Sequence, residues 1–350
     1  MKNKIKINKN FVISENSRPL IVAEISANHC GNKKKIFDHI RSANSNGADL
    51  IKIQAYEEDD ISINLKDTKY YKNFLTQNGE SLFSIYKKSK TPYIWLKDIF
   101  DFAKKLNITL FSSVFSLKGV KILEKLNNPI YKISSFEITD HQLITEVAKT
   151  NKPIIISTGM SKQKEIMQAV KLINKYHNKL IILHCVSGYP TPIKYANISK
   201  ISELKKKFKK NYIGLSDHTD TIFSSLSAST LGAKIIEKHF LMNKKLKSYD
   251  KDFSIFPNDL KNLKKNIIQM HESLGSLNKN VKFDSSNMKF RRSIYAKKDI
   301  KINQKISLND LVTLRPKIGI CASKIYKIVG LKAKKKIKKN FPIFLKVLKS

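Results

Sequence analysis

The chain has 350 residues, 41% of them hydrophobic, with 67 basic against 28 acidic residues and a formal net charge of +39. That length suits one large domain with a small appendage, and no apolar run approaches a membrane span. The N-terminal MKNKIKINKN lacks the apolar stretch of a secretory signal, and Cys30, Cys185 and Cys321 are too few and scattered for a disulfide framework. A soluble cytoplasmic protein with free thiols is expected. Only five of the basic residues are Arg, and Lys is spread along the whole chain rather than gathered in one patch. Phosphate and base recognition favour Arg forks, so neither a nucleic-acid nor a membrane partner is expected, whereas a small anion would gain from the field.

Eight short β-branched apolar runs follow in order: Leu20–Ile25, Asp49–Gln54, Thr109–Ser113, Ile130–Ser134, Pro153–Ser157, Leu180–Cys185, Tyr212–Ser216 and Lys234–Glu237. Continuous runs of this kind mark strands buried on both faces. Amphipathic stretches separate them, among them Lys33–Asn46, Tyr93–Leu106, Lys162–Tyr176 and Ile222–Leu231, with Phe256–Leu274 closing the series. Strand and helix repeated eight times predict an α/β fold, a (β/α)8 TIM barrel. The longest interruption, Ala55–Thr91, carries Tyr70, Tyr71, Phe74 and Tyr86 and is read as a loop of the substrate side or a plain surface insertion. A polar linker at 278–290 then separates the barrel, 1–277, from a β-rich domain at 291–350. In that domain Ser293–Ala296, Lys305–Ser307, Leu311–Leu314, Val329–Leu331 and Phe344–Val347 read as short strands.

In such a barrel chemistry gathers where strands end. Those positions hold Glu24, Lys52 with Gln54, Ser112 with Ser113, Lys132 with Ser135 and Glu137, Ser157, His184 with Ser187 and Tyr189, Ser216 with His218, and Glu237 with His239. A lysine inside a buried strand needs an anionic partner or must lose its charge. Lys52 and Lys132 among hydroxyls make a pocket for a carboxylate and a phosphate. His218 and His239 read either as core residues or as ligands of one metal ion able to polarise a carbonyl oxygen. Glu24 and Glu137 are candidates for proton transfer. A phosphorylated carboxylic acid condensing with an aldehyde fits this inventory.

The motifs AEISANHCG at 23–31, IKIQAY at 51–56, YKISSFEITD at 131–140, ISTGMS at 156–161, HCVSGYPTP at 184–192, GLSDHT at 214–219 and EKHF at 237–240 resemble the sialic acid synthase family. RRSIYAKKDI at 291–300 and LRPKIG at 314–319 resemble that family's antifreeze-like (SAF, β-clip) domain. SFEITD at 135–140 and SIYKKSKTPYIW at 84–95 are most similar to the family's pseudaminic acid synthases.

The resemblance implies condensation of phosphoenolpyruvate with an open-chain amino sugar, 2,4-diacetamido-2,4,6-trideoxy-altrose, with C–O cleavage and phosphate release. Synthesis of N-acetylneuraminate or legionaminate by the same chemistry is the alternative. It further implies that His218 and His239 bind Mn2+, with Mg2+ or Co2+ in its place possible, that Lys52 and Ser113 hold the phosphoenolpyruvate carboxylate, and that Lys132, Ser135, Ser157, Ser187 and Ser216 hold its phosphate. Glu24 would assist water addition and Glu137 would handle a sugar proton, while Gln54, Tyr189 and Asp250 would contact the sugar. Family members are domain-swapped homodimers, so Arg315 would reach the other subunit's sugar. The chain departs from the family pattern at Ser112–Phe115, where Val114 replaces a proline, and at Cys30, Phe136, Ser187 and Lys317.

Overall fold

The computed structural model describes residues 2–64, 79–275 and 282–350. They fall into two units, Met1–Gly275 and Ser276–Ser350. The first opens with a hairpin of β1 (Ile5–Lys6) and β2 (Val12–Ile13). Eight parallel strands follow: β3 (Leu20–Glu24), β4 (Leu50–Gln54), β5 (Leu110–Ser113), β6 (Tyr131–Ile133), β7 (Ile154–Ser157), β8 (Leu180–Cys185), β9 (Tyr212–Asp217) and β10 (Ile235–His239). They form a closed barrel in which β10 pairs with β3. All eight expected strands are present, within a residue or two of the expected bounds.

Two apolar layers hold the barrel. Ile21, Ile51, Ile133, Ile156, Ile182 and Ile236 face outward against the helices. Leu20, Val22, Leu50, Phe111, Ile155, Ile181 and Leu183 fill the interior with Ile5, Ile7 and Ile13, so the hairpin plugs the amino-terminal end. The helices use ordinary signals: Asn32 caps Lys33–Ser45 and Ser116 caps Leu117–Lys125, while Pro257 opens the closing helix Pro257–Leu274. No helix among the described residues is long and apolar enough to cross a membrane.

The stretch read as one long loop after β4 contains a helix, Leu82–Ser89, capped by Ser81. Tyr70, Tyr71 and Phe74 lie outside the described residues, as does part of the expected linker.

In the second unit β11 (Ser293–Ala296) pairs antiparallel with β12 (Leu311–Leu314), and β13 (Lys332–Ala333) with β14 (Leu348–Lys349). Its core is Ile294, Ile300, Ile306, Leu311, Ile328, Ile337 and Ile343. Three expected strands need correction. Lys305 makes only a single bridge, to Lys332; Val329–Leu331 is a turn, with Gly330 at φ 91°; and Leu345–Val347 is a 3-10 turn ahead of β14. Apolar residues there are spaced to fill a small core from turns, so apolar character does not imply extended backbone.

Candidate active site

The carboxyl ends of the barrel strands converge on a buried charge cluster. Lys52 and Lys132 lie within strands and are only 3% and 2% exposed. Lys52 Nζ sits 2.6 Å from Glu24 Oε2, 3.3 Å from Glu237 Oε1 and 3.2 Å from Ser113 Oγ. Lys132 Nζ donates to the same Glu237 oxygen at 2.6 Å, and Ser216 Oγ donates to it at 3.1 Å. Strand register produces this cluster: Glu24 lies opposite Lys52, Ser113 opposite Lys132, and Ser216 opposite Glu237.

The charges divide unevenly. Burial works against ionised Glu237, but Lys132 and Lys52 outweigh it and hold its pKa well below the carboxylate range. Burial likewise opposes charged Lys52, yet Glu237 and Glu24 lift its pKa above the usual value. Glu24 goes the other way, because burial raises its pKa more than Lys52 lowers it. Burial also lowers the pKa of Lys132, with Glu237 opposing. With two lysines against one firmly ionised carboxylate, the pocket favours an incoming anion.

Beside this cluster lies a pocket of hydroxyls. Gly159 N donates to Ser135 Oγ at 2.9 Å. A Cβ on Gly159 would stand 2.2 Å from Ser187 Oγ and 2.9 Å from Ser135 Oγ, so only glycine lets these serines close around the β7 loop. Among the described residues, the hydroxyls of Ser157 and Ser187 are buried without a hydrogen-bond partner. Unmet buried polar groups facing a cationic pocket are what an oxyanion would satisfy.

Across from the lysines, the rings of His218 and His239 have centroids 5.4 Å apart. His218 Nδ1 is 2.9 Å from the carbonyl oxygen of Val186, which can only accept, so Nδ1 carries the proton. His239 Nδ1 is 3.2 Å from Asp250 Oδ2, and His239 helps hold that carboxyl below its ordinary pKa against the effect of burial. In both rings the bonded Nδ1 leaves Nε2 with its lone pair, the donor set a divalent ion takes, with a carbonyl and a carboxylate as outer supports. Among the described residues no group of three or more His, Cys, Asp or Glu is arranged to hold a metal. Phe253 packs edge-on against His239 at 4.8 Å, and Tyr189 lies 4.3 Å from the His218 ring.

Glu137 is half-buried and accepts a hydrogen bond from Ser134; burial raises its pKa despite that bond. Gln54 ends β4 beside Ser113, and Asp250 also accepts from Ala27 N at 3.2 Å. His184 points to the backbone, bonding the carbonyl of Ala196 at 2.8 Å. Arg315 belongs to the second unit, exposed just after β12. Two residues of this site were not among the expected site residues. Glu237 was visible only as one polar strand end among many, and Gly159 has no side chain to attract notice.

The fold and cluster define a (β/α)8-barrel protein whose strand ends form a cationic, hydroxyl-lined pocket opposite a histidine pair. Residues 39–279 match the NeuB family and residues 291–348 the SAF domain, and the chain belongs to the NeuB family. It is 37% identical over 328 residues to the pseudaminic acid synthase of Helicobacter pylori, covering 93% of this chain and 96% of the relative. It is 36% identical over 329 residues to the N,N'-diacetyllegionaminic acid synthase of Campylobacter jejuni, covering 92% and 98%. The crystal structure of an N-acetylneuraminic acid synthetase from Leptospira borgpetersenii superposes with a TM-score of 0.72 at 28% identity, over 82% of this chain and 96% of that one.

Proposed function

We propose that this protein is a nonulosonic acid synthase that condenses phosphoenolpyruvate with 2,4-diacetamido-2,4,6-trideoxy-altrose to form pseudaminic acid. The observation that carries this reading is the pair of buried strand lysines, Lys52 and Lys132, sharing Glu237 beside a cluster of buried serine hydroxyls. Lys52 and Ser113 take the carboxylate of phosphoenolpyruvate; Lys132, Ser135, Ser157, Ser187 and Ser216 take its phosphate. Gln54, Tyr189 and Asp250 orient the sugar.

In the reaction C3 of the enol bonds to the aldehyde carbon, water adds at C2, and the C2–O bond to phosphate breaks. Glu24, beside Lys52, accepts the proton of the incoming water. Glu137, with its raised pKa, supplies a proton on the sugar side. His218 and His239 would hold a divalent ion, Mn2+ first and Mg2+ or Co2+ as alternatives, which when bound polarises the aldehyde oxygen. The enzyme acts in the cytoplasm as a homodimer with exchanged small domains, bringing Arg315 to the sugar in the other subunit.

The similar identity to the legionaminic acid synthase keeps one second reading, the same chemistry on a different amino sugar. Phosphate release from phosphoenolpyruvate, measured with the altrose derivative, with its 2,4-diacetamido-2,4,6-trideoxy-mannose epimer and with N-acetylmannosamine, separates them. A preference for the altrose derivative of at least tenfold in kcat/KM is expected; preference for either of the other two sugars would overturn the assignment of the sugar.

A further inference from the structure

Behind the two histidines, on the outer side of the barrel, lies a second ion pair with no part in the chemistry above. Side chains alternate along a strand, so Ser216 and Glu237 point into the pocket while Asp217 and Lys238 point out toward the helices. Both outward side chains are sealed off, at 1% and 0% exposure. Lys238 Nζ lies 3.2 Å from Asp217 Oδ2 and donates to the carbonyl oxygen of Thr219 at 2.6 Å. Asp217 Oδ1 accepts from Thr219 N at 2.9 Å and Thr219 Oγ1 at 2.8 Å. Its Oδ2 accepts from Ser225 Oγ, in the helix Phe223–Thr230, at 2.6 Å.

One ammonium, on the residue before His239, therefore grips the residues on both sides of His218. The pair also sits in register, Lys238 opposite Asp217. The bonds that orient each imidazole come from separate places, Val186 after β8 and Asp250 in the loop after β10. Neither bond sets the distance between the two rings. The β9–β10 ladder brings the two strand ends together, and the Asp217–Lys238 link fastens them immediately beside the rings. Apolar residues could fill the same space without desolvating two charges, and such replacements are often neutral or stabilising. A charge pair placed here is better explained by geometry than by stability.

We propose that Asp217 and Lys238 are positioning residues that hold His218 and His239 at the spacing needed to share one divalent ion, an inference that rests on the metal reading above. The test is Mn2+ binding by calorimetry to the metal-stripped, full-length protein, with phosphoenolpyruvate binding measured alongside. The double variant Asp217→Asn/Lys238→Met removes both charges at similar volume. It should bind Mn2+ at least tenfold more weakly than the parent, with phosphoenolpyruvate affinity within twofold. Ser225→Ala removes one hydrogen bond to Asp217 and should weaken Mn2+ binding severalfold, which covers the case in which the double variant does not fold. Mn2+ affinity within twofold of the parent in the folded double variant, or unchanged in Ser225→Ala if the double variant does not fold, would overturn the proposal. His218→Ala separates the two claims. If it keeps the parent's Mn2+ affinity, the metal reading fails and this proposal with it. If it loses the ion while the double variant keeps it, only the positioning role fails.

Discussion

Glu237 pairs with both buried lysines through one oxygen, while its other oxygen is buried without a hydrogen bond among the described residues. Through the paired oxygen it bridges the two ammonium groups in the free protein. Replacing it with Gln leaves two facing lysines with less countercharge, and Lys132, already pushed down by burial, shifts further toward its neutral form. Glu237→Gln should lower kcat/KM for phosphoenolpyruvate by about 100-fold; a change under threefold in steady-state kinetics would show that the carboxylate does not organise the lysines. Glu24 gives a pH test. Its pKa is raised by burial, so the ionised, proton-accepting form grows as pH rises through that raised value. The kcat profile should rise with pH along a limb above the usual carboxylate range, and Glu24→Gln should remove the limb with a loss of roughly 100-fold or more. The lysines and histidines were legible in the sequence because such residues are rare in apolar strands. Glu237 was not singled out, since its partnership with two lysines far away in sequence exists only once the barrel closes.

At the scale of the elements, the barrel is locked at its amino-terminal end by a buried carboxylate. Asp49, just before β4, takes Arg18 at 2.6 Å and Lys264 of the closing helix at 2.5 Å, and accepts Ile21 N at 2.9 Å. Burial alone would raise its pKa, but Arg18 and Lys264 overcome that and depress it. A depressed carboxylate pKa contributes stability that is present above the unfolded value of about 3.9 and is lost as pH falls through the folded value. Asp49→Ala should cost about 3–5 kcal/mol at pH 7 by urea unfolding, since it strands two partly buried cations. The penalty should shrink as the buffer is taken below pH 3; a pH-independent penalty would point to packing instead. The barrel strands were readable because all eight are β-branched runs buried on both sides. The plug hairpin was not, although Ile5-Lys6-Ile7 alternates with period two, because Lys and Asn dominate its composition. The short strands of the second unit misled for a related reason: two-residue ladders and turns carry no periodicity to read.

Taken as a whole molecule, the chain carries a net charge of +39 built almost entirely from Lys. Much of it lies on solvated faces, as at 334–336 and 338–339, where the lysines are exposed while Ala333 and Ile337 are buried. Such a field raises the encounter rate of a trianionic substrate and is screened over about 8 Å at physiological ionic strength. The kcat/KM for phosphoenolpyruvate should fall severalfold between 20 mM and 300 mM salt (about a threefold drop in Debye length or more), with kcat nearly unchanged. An unchanged kcat/KM would mean that the lysine excess has no part in substrate capture.

The strand-end pocket is expected to hold phosphoenolpyruvate by both anionic groups while water adds to C2 and the C–O bond breaks. Phosphoenolpyruvate carrying heavy oxygen in its bridging position reports on this directly. After one turnover with the amino sugar, mass spectrometry should find the label in the released phosphate. Label retained in the keto acid, the mark of P–O cleavage, would overturn that chemistry.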